Sequence, residues 1–230
     1  MPNTTLVLVN STGRQAASLA RVAAAVGYSV RAHVHSREGR SGIVAHELDD
    51  LDNVTVVQGS LEDKKFVDGL FIGAKQAFIN TLSWGDEAAI GKSLANAAKK
   101  AGVQHYIYSS MPDHSVFGKE WPALPLWSVK FTVENYIRQV RHQTWQAKAV
   151  LILRQIDLPA TFVYTGIYNN NFTSLPYPLF CMKLQKDGSF EWKAPFDPDT
   201  PQPWLDAEHD VGPALFQIFK DGPRKWSGHR

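Results

Sequence analysis

The stretch Thr5–Ala16, TLVLVNSTGRQA, decides the fold of this chain. The apolar run Thr5–Asn10 predicts a buried strand, and a loop around Gly13 follows it. Ala-rich residues at helical spacing then predict a helix over Arg14–Val26, which Gly27 ends as a C′ glycine. A buried strand that passes through a tight loop into a helix is the opening unit of a doubly wound α/β fold.

Strand and helix patterns alternate beyond this unit. Further strands are predicted over Tyr28–His35, Val54–Gly59, Gln76–Leu82, His105–Ser110 and Ala160–Thr165, with helices over Asp86–Ala101 and Lys130–Gln139. Because the strands are nearly continuous in apolar residues, the pattern favours a parallel sheet covered by helices on both faces. We therefore predict a Rossmann-type, doubly wound α/β domain over residues 1–166 and a smaller α/β region over residues 167–230.

The second region differs in composition. The segment Ile167–Trp204 is rich in Pro, Asn and aromatic residues, and two interpretations of it stay open. In the first interpretation it forms a small layer over the open edge of the sheet. In the second it forms a surface on which a partner docks, because large aromatic residues are enriched in interface hot spots. A last helix is predicted over Val211–Phe219, with Asp210 as its N-cap.

Composition excludes several classes of protein. Of 230 residues, 44% are hydrophobic and 20% are charged, which is typical of a globular chain and not of a disordered or fibrous one. The net charge of +2 speaks against a protein whose main partner is nucleic acid. The longest apolar run, Ala149–Leu153, is too short to span a membrane. With no secretory signal and the single cysteine Cys181, we expect a reducing, intracellular compartment.

The loop after the first strand is a candidate dinucleotide site. Its spacing is that of Gly-x-x-Gly-x-x-Gly, with Asn10 and Ala16 in place of the outer glycines. In a doubly wound fold this loop holds a pyrophosphate on backbone N–H groups at a helix N-terminus. Gly13 is retained at the closest approach, and Asn adopts left-handed conformations more readily than most residues. The loop therefore predicts bound NAD or NADP, with a plain strand–helix turn as the alternative.

Other residues of this site follow from the strand ends. No acidic residue stands at the end of the second strand to hold a 2′-hydroxyl and exclude a 2′-phosphate, so we predict weak discrimination between NAD and NADP. His35 stands at the end of this strand. The alternative to a cofactor contact is that His35 is an ordinary solvated residue. We expect the phosphates beside Gly13, Arg14 and Gln15, with a hydrogen bond from Thr12. The cofactor-binding residues predicted from the loop and the strand ends are Asn10, Thr12, Gly13, Arg14, Gln15, His35, Asn80 and Thr81.

Blocks along most of the chain carry a family pattern: Asn10–Ser18 (NSTGRQAAS), Phe78–Thr81 (FINT), Gly91–Val103, His105–His114 (HYIYSSMPDH), Lys130–Tyr136 (KFTVENY), Thr161–Leu179 and Trp204–Phe219. Together they resemble the NmrA-like family, atypical members of the short-chain dehydrogenase/reductase superfamily. The resemblance implies a Rossmann domain that binds NAD or NADP. For regulatory members it implies negative control of nitrogen-metabolism transcription through contact with a GATA-type zinc-finger activator. It also implies a cytoplasmic and nuclear location, no direct nucleic-acid or membrane contact, and a monomer or weak oligomer.

The pattern indicates a site without ordinary catalysis. A catalytic short-chain dehydrogenase needs a Tyr four residues before a Lys, because the Lys depresses the pKa of the phenol that exchanges a proton with substrate. Here Leu126 stands four residues before Lys130, and leucine cannot transfer a proton. Ser109 and Ser110 could polarise a carbonyl, but without the acid they are half a site. We predict no catalytic residue and a ribose contact from Lys130, with an NAD(P)H-dependent quinone or carbonyl reductase as the alternative.

Two further segments carry expectations. The cluster Asp206–Asp210 matches no trusted metal-ligand spacing, so we predict a solvated turn and no metal. The segment Val140–Gln155 has no counterpart in the family pattern. A helix extension is one explanation. The other is a retained intron, because introns begin with GT and end with AG. The codon of Val140 starts with GT, and Gln139 and Gln155 can each be encoded by CAG. We expect a poorly packed excursion there. Because the family pattern continues beyond Gly228–Arg230, the resemblance also implies a truncated, incomplete C-terminal region, with exposed apolar surface and weakened partner binding.

Overall fold

The structure is a computed structural model, and it describes residues 4–226 apart from 84, 118–121, 139–157, 176–179, 194–196 and 198. The segment Val140–Gln155 lies outside the described residues, so its predicted excursion stays a prediction. Within the described part of the chain, no helix is both long and apolar enough to cross a membrane.

A six-stranded parallel sheet forms the centre of the molecule, as predicted. Its strands are β1 (Thr5–Val9), β2 (Ser29–Val34), β3 (Val54–Gln58), β4 (Ala74–Ile79), β5 (His105–Ser109) and β6 (Ala160–Val163). Their order across the sheet is β3-β2-β1-β4-β5-β6, with every neighbouring pair parallel. The order reverses direction between β1 and β4, and in open α/β sheets such a switch point opens a crevice at the carboxyl ends of the strands.

Helices cover both faces of this sheet. They are α1 (Arg14–Ala25), α2 (Gly39–Asp49), α3 (Lys64–Leu70), α4 (Glu87–Lys100), α5 (His114–Phe117), α6 (Pro125–Arg138), α7 (Val211–Asp221) and α8 (Pro223–Trp226). One face of the sheet buries apolar residues of α3, α4 and α6. The other face buries apolar residues of α1, α2 and α7. Strands β1, β2, β4, β5 and β6 are therefore largely buried, which explains why they are rich in apolar residues, whereas β3, at one edge of the sheet, has no fully buried residue.

Three details differ from the sequence prediction. The helices α2 and α3 had no predicted counterpart. The helix predicted from Lys130 begins at Pro125, because the fixed φ of proline suits the first helical position. Asp210 precedes α7, but its carboxylate does not cap that helix; it accepts a hydrogen bond from the backbone N–H of Asp206 at 2.8 Å.

The region after β6 is built from short elements. Strands β7 (Ile167–Tyr168) and β10 (Trp204–Leu205) pair in parallel, and β8 (Met182–Leu184) pairs with β9 (Phe190–Trp192) as a hairpin. A 3₁₀-helix over Asn169–Thr173 lies between β7 and β8. The ring of Phe172 contacts Phe180, Trp192 and Trp204, with centroids 5.6 Å apart in each pair. Aromatic packing therefore holds this region together, while Leu184 and Phe190 on the hairpin stay exposed.

Candidate functional site

The loops that follow β1, β2, β3 and β4 meet at the carboxyl edge of the sheet. Between them lies a cavity of about 110 Å³. Its lining residues are Asn10, His35, Ser60, Leu61, Glu62, Leu82, Gly85 and Ile90. The cavity therefore opens at the topological switch point, where doubly wound folds bind nucleotides.

The loop Asn10–Gly13 has the geometry of a phosphate cradle. Asn10 adopts a left-handed conformation with φ of 58°, and its carbonyl accepts a hydrogen bond from the Gly13 N–H at 3.0 Å. A Cβ atom on Gly13 would lie 3.2 Å from that carbonyl oxygen. The helix α1, which the structure describes throughout, has no acidic residue in its first turn and no side-chain cap. Its first N–H groups therefore remain available to an anion.

The side chains of Arg14 and Gln15 turn toward the C-terminal region. The Arg14 guanidinium forms an ion pair with Glu208 at 2.8 Å, and the Gln15 amide donates to the hydroxyl of Tyr168. Thr12 is half-buried beside them in the same loop. The backbone of the first turn of α1, and not these two side chains, therefore faces the predicted phosphate position.

The end of β2 carries His35, an exposed residue that lines the cavity. Arg37 is bound nearby, since its guanidinium contacts Asp49 and donates to the carbonyl of Val56 at 3.1 Å. The Arg37 guanidinium is thus already paired with a carboxylate, and no acidic residue follows the strand directly.

Asn80, Thr81 and Lys130 meet at the end of β4. The Lys130 ammonium donates to the Thr81 carbonyl at 2.5 Å, and it forms an ion pair with Glu87 at 3.0 Å. Asn80 Oδ1 lies 3.5 Å from the same ammonium, and the Asn80 carbonyl accepts from Asn10 Nδ2 at 2.7 Å. Burial lowers the pKa of Lys130, while the Glu87 charge opposes that shift. These contacts link the phosphate loop to the lysine.

Glu87 is nearly fully buried. Its Oε1 accepts from Thr81 Oγ1 at 2.7 Å, and that hydroxyl also contacts the Tyr108 hydroxyl at 2.9 Å. Burial raises the pKa of Tyr108, so the phenol stays protonated. In a catalytic short-chain dehydrogenase the corresponding Lys holds the ribose of the cofactor. Here the Lys130 ammonium is already bound by Thr81 and Glu87.

Leu126 lies in the first turn of α6, and 62% of its surface is exposed. Ser109 ends β5 and Ser110 follows it, and both are buried; Ser110 donates to the Lys130 carbonyl at 3.4 Å. The position of the proton-donating Tyr is thus occupied by an apolar side chain at the surface.

Sequence reasoning missed several residues of this edge. Ser60, Leu61 and Glu62 follow β3, and the topological rule that pointed to the ends of β1, β2 and β4 applies equally there. Glu87 was missed because it reads as an ordinary acidic residue in the first turn of a helix. His33 is a polar residue between the apolar residues Ala32 and Val34 of β2, and this position was the available signal.

The acidic cluster after β10 is a turn. Asp206 accepts from the backbone N–H groups of Glu208 and His209, and from His209 Nδ1 at 2.9 Å. The His209 partner lowers the pKa of Asp206, and the same bond raises the pKa of His209. Among the residues that the structure describes, no group of His, Cys, Asp and Glu side chains could hold a metal ion.

The parallel sheet, its strand order and the loop after β1 define a Rossmann-type α/β protein with a dinucleotide-type crevice. A family model described as the NmrA-like family matches residues 2–230. The chain belongs to this family.

Known relatives are similar over almost the whole chain. The nitrogen metabolite repression protein nmrA of Emericella nidulans is 64% identical over 229 residues, which are 98% of this chain and 59% of that protein. Crystal structures of NmrA, a negative transcriptional regulator, in complex with NADP and with NAD are each 62% identical, with TM-scores of 0.87 and 0.86. This chain is covered completely in both, and it covers 66% of each solved chain. The chain thus spans about three fifths of the curated relative.

Proposed function

We propose that this chain binds NAD or NADP at the Asn10–Ala16 loop without turning it over, and acts as a negative regulator of nitrogen-metabolism transcription. The observation that carries the proposal is the uncapped N-terminus of α1 beside Gly13, in a chain similar to a regulator solved with both dinucleotides. The regulator acts by contact with a GATA-type zinc-finger activator, so that it needs no DNA contact of its own.

The residues present fit a dinucleotide. The first turn of α1 offers backbone N–H groups and a partial positive charge to a pyrophosphate. Gly13 leaves room for close approach, and Leu61, Leu82 and Ile90 supply apolar walls beside the loop. When bound, a nicotinamide dinucleotide supplies hydride chemistry, but this chain holds no acid at the Tyr position to complete a carbonyl reduction.

The same geometry supports binding without turnover. Leu126 cannot donate a proton, and the Lys130 ammonium is held by Glu87 and Thr81. The Tyr of the catalytic pair is replaced by Leu126, and the Lys is bound to other groups of the protein. The dinucleotide therefore serves as a ligand and is not turned over. A signalling role in the cytoplasm and nucleus, as a monomer or weak oligomer, is part of this proposal.

The first expected result is binding of NAD and NADP with no oxidation of NADH or NADPH by carbonyls or quinones. Calorimetry measures the binding, and absorbance at 340 nm measures the turnover. A turnover number of even ~1 per second, near the low end for ordinary enzymes, would favour the reductase. Restoring the phenol alone, in Leu126→Tyr, should not create activity, because substrate positioning matters as much as the acid.

The second expected result concerns the loop itself. Gly13→Val should weaken NAD binding by at least about tenfold, because a branched side chain would fill the space between the loop and a phosphate. Gly13 has an extended φ of −81°, so backbone strain does not explain the loss. Gly69→Val on α3 is the matched control, since a Cβ there meets nothing within 4 Å. Unchanged calorimetric affinity in Gly13→Val would place the site elsewhere.

A further inference from the structure

His33 is a buried histidine that contacts Asn10, one of the residues that line the cavity. Its side chain is fully enclosed in β2, and the ring of Phe66 packs 5.7 Å from it. Nδ1 lies 3.2 Å from the backbone nitrogen of Asn10, and Nε2 lies 3.1 Å from the carbonyl oxygen of Gly59. The imidazole thus joins the loop after β1 to the loop after β3, both of which line the cavity.

These two contacts specify one form of the ring. A backbone N–H can only donate and a carbonyl oxygen can only accept, so Nδ1 must be unprotonated and Nε2 must carry the proton. Burial lowers the pKa of His33 to about 4, with a smaller contribution from the charge of His35. The ring is therefore neutral near pH 7, and its Nδ1 keeps the lone pair that Asn10 uses.

Asn10 needs this support because its backbone is strained. A side chain at φ of 58° costs energy that the surroundings must offset. The contacts of its N–H with His33, of its side chain with the Asn80 carbonyl and of its carbonyl with the Gly13 N–H all favour that conformation. The next residue is fixed as well, since the Ser11 N–H donates to the His33 carbonyl at 2.7 Å.

We infer that His33 is a positioning residue for dinucleotide binding: its imidazole holds Asn10 in the left-handed turn that aims the first turn of α1 at the phosphates. The inference rests on the proposed dinucleotide site and adds a residue that does not line the cavity. Loss of the two hydrogen bonds frees Asn10 to leave the left-handed region, and the cradle around Gly13 opens with it.

Glutamine and leucine separate hydrogen bonding from shape. The oxygen and nitrogen of a carboxamide are about as far apart as the two ring nitrogens, so His33→Gln can accept from Asn10 and donate to Gly59. His33→Leu fills similar space but can do neither. His105→Leu is the matched control. His105 is also buried, but it lies at the amino end of β5, away from the carboxyl edge of the sheet, and it contacts Thr161 Oγ1 at 2.9 Å.

The test is calorimetric titration of NAD into the unsubstituted protein and these three variants, with circular dichroism to verify folding. We expect His33→Leu to raise the dissociation constant at least about tenfold, and the other two variants to stay within about threefold. The inference is overturned if His33→Leu binds like the unsubstituted protein, or if His105→Leu loses as much affinity. It is equally overturned if His33→Gln loses as much affinity as His33→Leu. If the unsubstituted protein itself fails to bind NAD, the proposed function fails instead.

A second measurement needs no variant and covers the case in which His33→Leu does not fold. Long-range ¹H–¹⁵N NMR at pH 7 assigns the tautomer of each histidine. The inference requires His33 to be neutral with its proton on Nε2. A proton on Nδ1 would prevent acceptance from Asn10 and would overturn it.

Discussion

Replacing Glu87 with glutamine is expected to destabilise the fold by about 3 to 5 kcal/mol. The Glu87 side chain is 4% exposed and its Lys130 partner is 17% exposed, so neither charge is well hydrated. Glutamine keeps the shape and the hydrogen bond with Thr81, but it leaves the ammonium buried without a counter-charge. A buried charge that loses its partner carries its full desolvation cost.

The double variant Glu87→Gln with Lys130→Met supplies the control. It removes both charges, so much of the lost stability should return, and the two effects should be strongly non-additive. Urea denaturation of the single and double variants measures the coupling free energy. If Glu87→Gln unfolds at the same urea concentration as the unsubstituted protein, the ion pair contributes nothing to the fold.

Acid is expected to unfold the protein through two buried histidines. Burial lowers the pKa of both His33 and His105 to about 4, whereas an unfolded histidine titrates near 6.5. Between these values the unfolded chain binds protons that the folded chain does not. Stability is therefore fully present above pH 6.5 and falls as the pH drops toward 4. The whole window corresponds to about 3 kcal/mol for each histidine.

Denaturation midpoints measured from pH 7.5 to 4.5 check this slope. His105→Gln should flatten it, because that side chain does not titrate, and His33→Gln should flatten it independently. Equal slopes in all three proteins would mean that other groups cause the acid sensitivity.

Much of the fold could be predicted because its signals are local. The strands of the sheet are short segments rich in apolar residues, and Gly27 and Gly102 mark helix ends by their left-handed conformations. The helices α2 and α3 were not predicted, because each contains glycine and only a few apolar positions. They are held by packing, with Leu48 buried on one face of the sheet and Val67 on the other. That support depends on tertiary contacts that no local pattern contains.

The candidate site also has a part that could be predicted from the sequence and a part that could not. The loop around Gly13 carries its signal in adjacent residues, and the structure places it at the switch point. The pairing of Lys130 with Glu87 joins residues 43 positions apart, and that of His33 with Asn10 joins residues 23 apart. Their chemistry arises only when strands that are distant in sequence become neighbours, so a motif could not reveal it.

The packing of α1 against α7 has a consequence for synthesis. Ser18 on α1 accepts a hydrogen bond from the Gly212 N–H, 194 positions later, and Leu19 and Ala20 share a cluster with Leu215 and Phe219. A ribosome that adds 5–20 residues per second needs roughly 10 to 40 s to cover that separation. During that interval the part of α1 that packs on α7 in the finished protein stays uncovered. That part of the nascent chain thus stays open to chaperones even after Ile90, the last residue that lines the nucleotide crevice, has been synthesised.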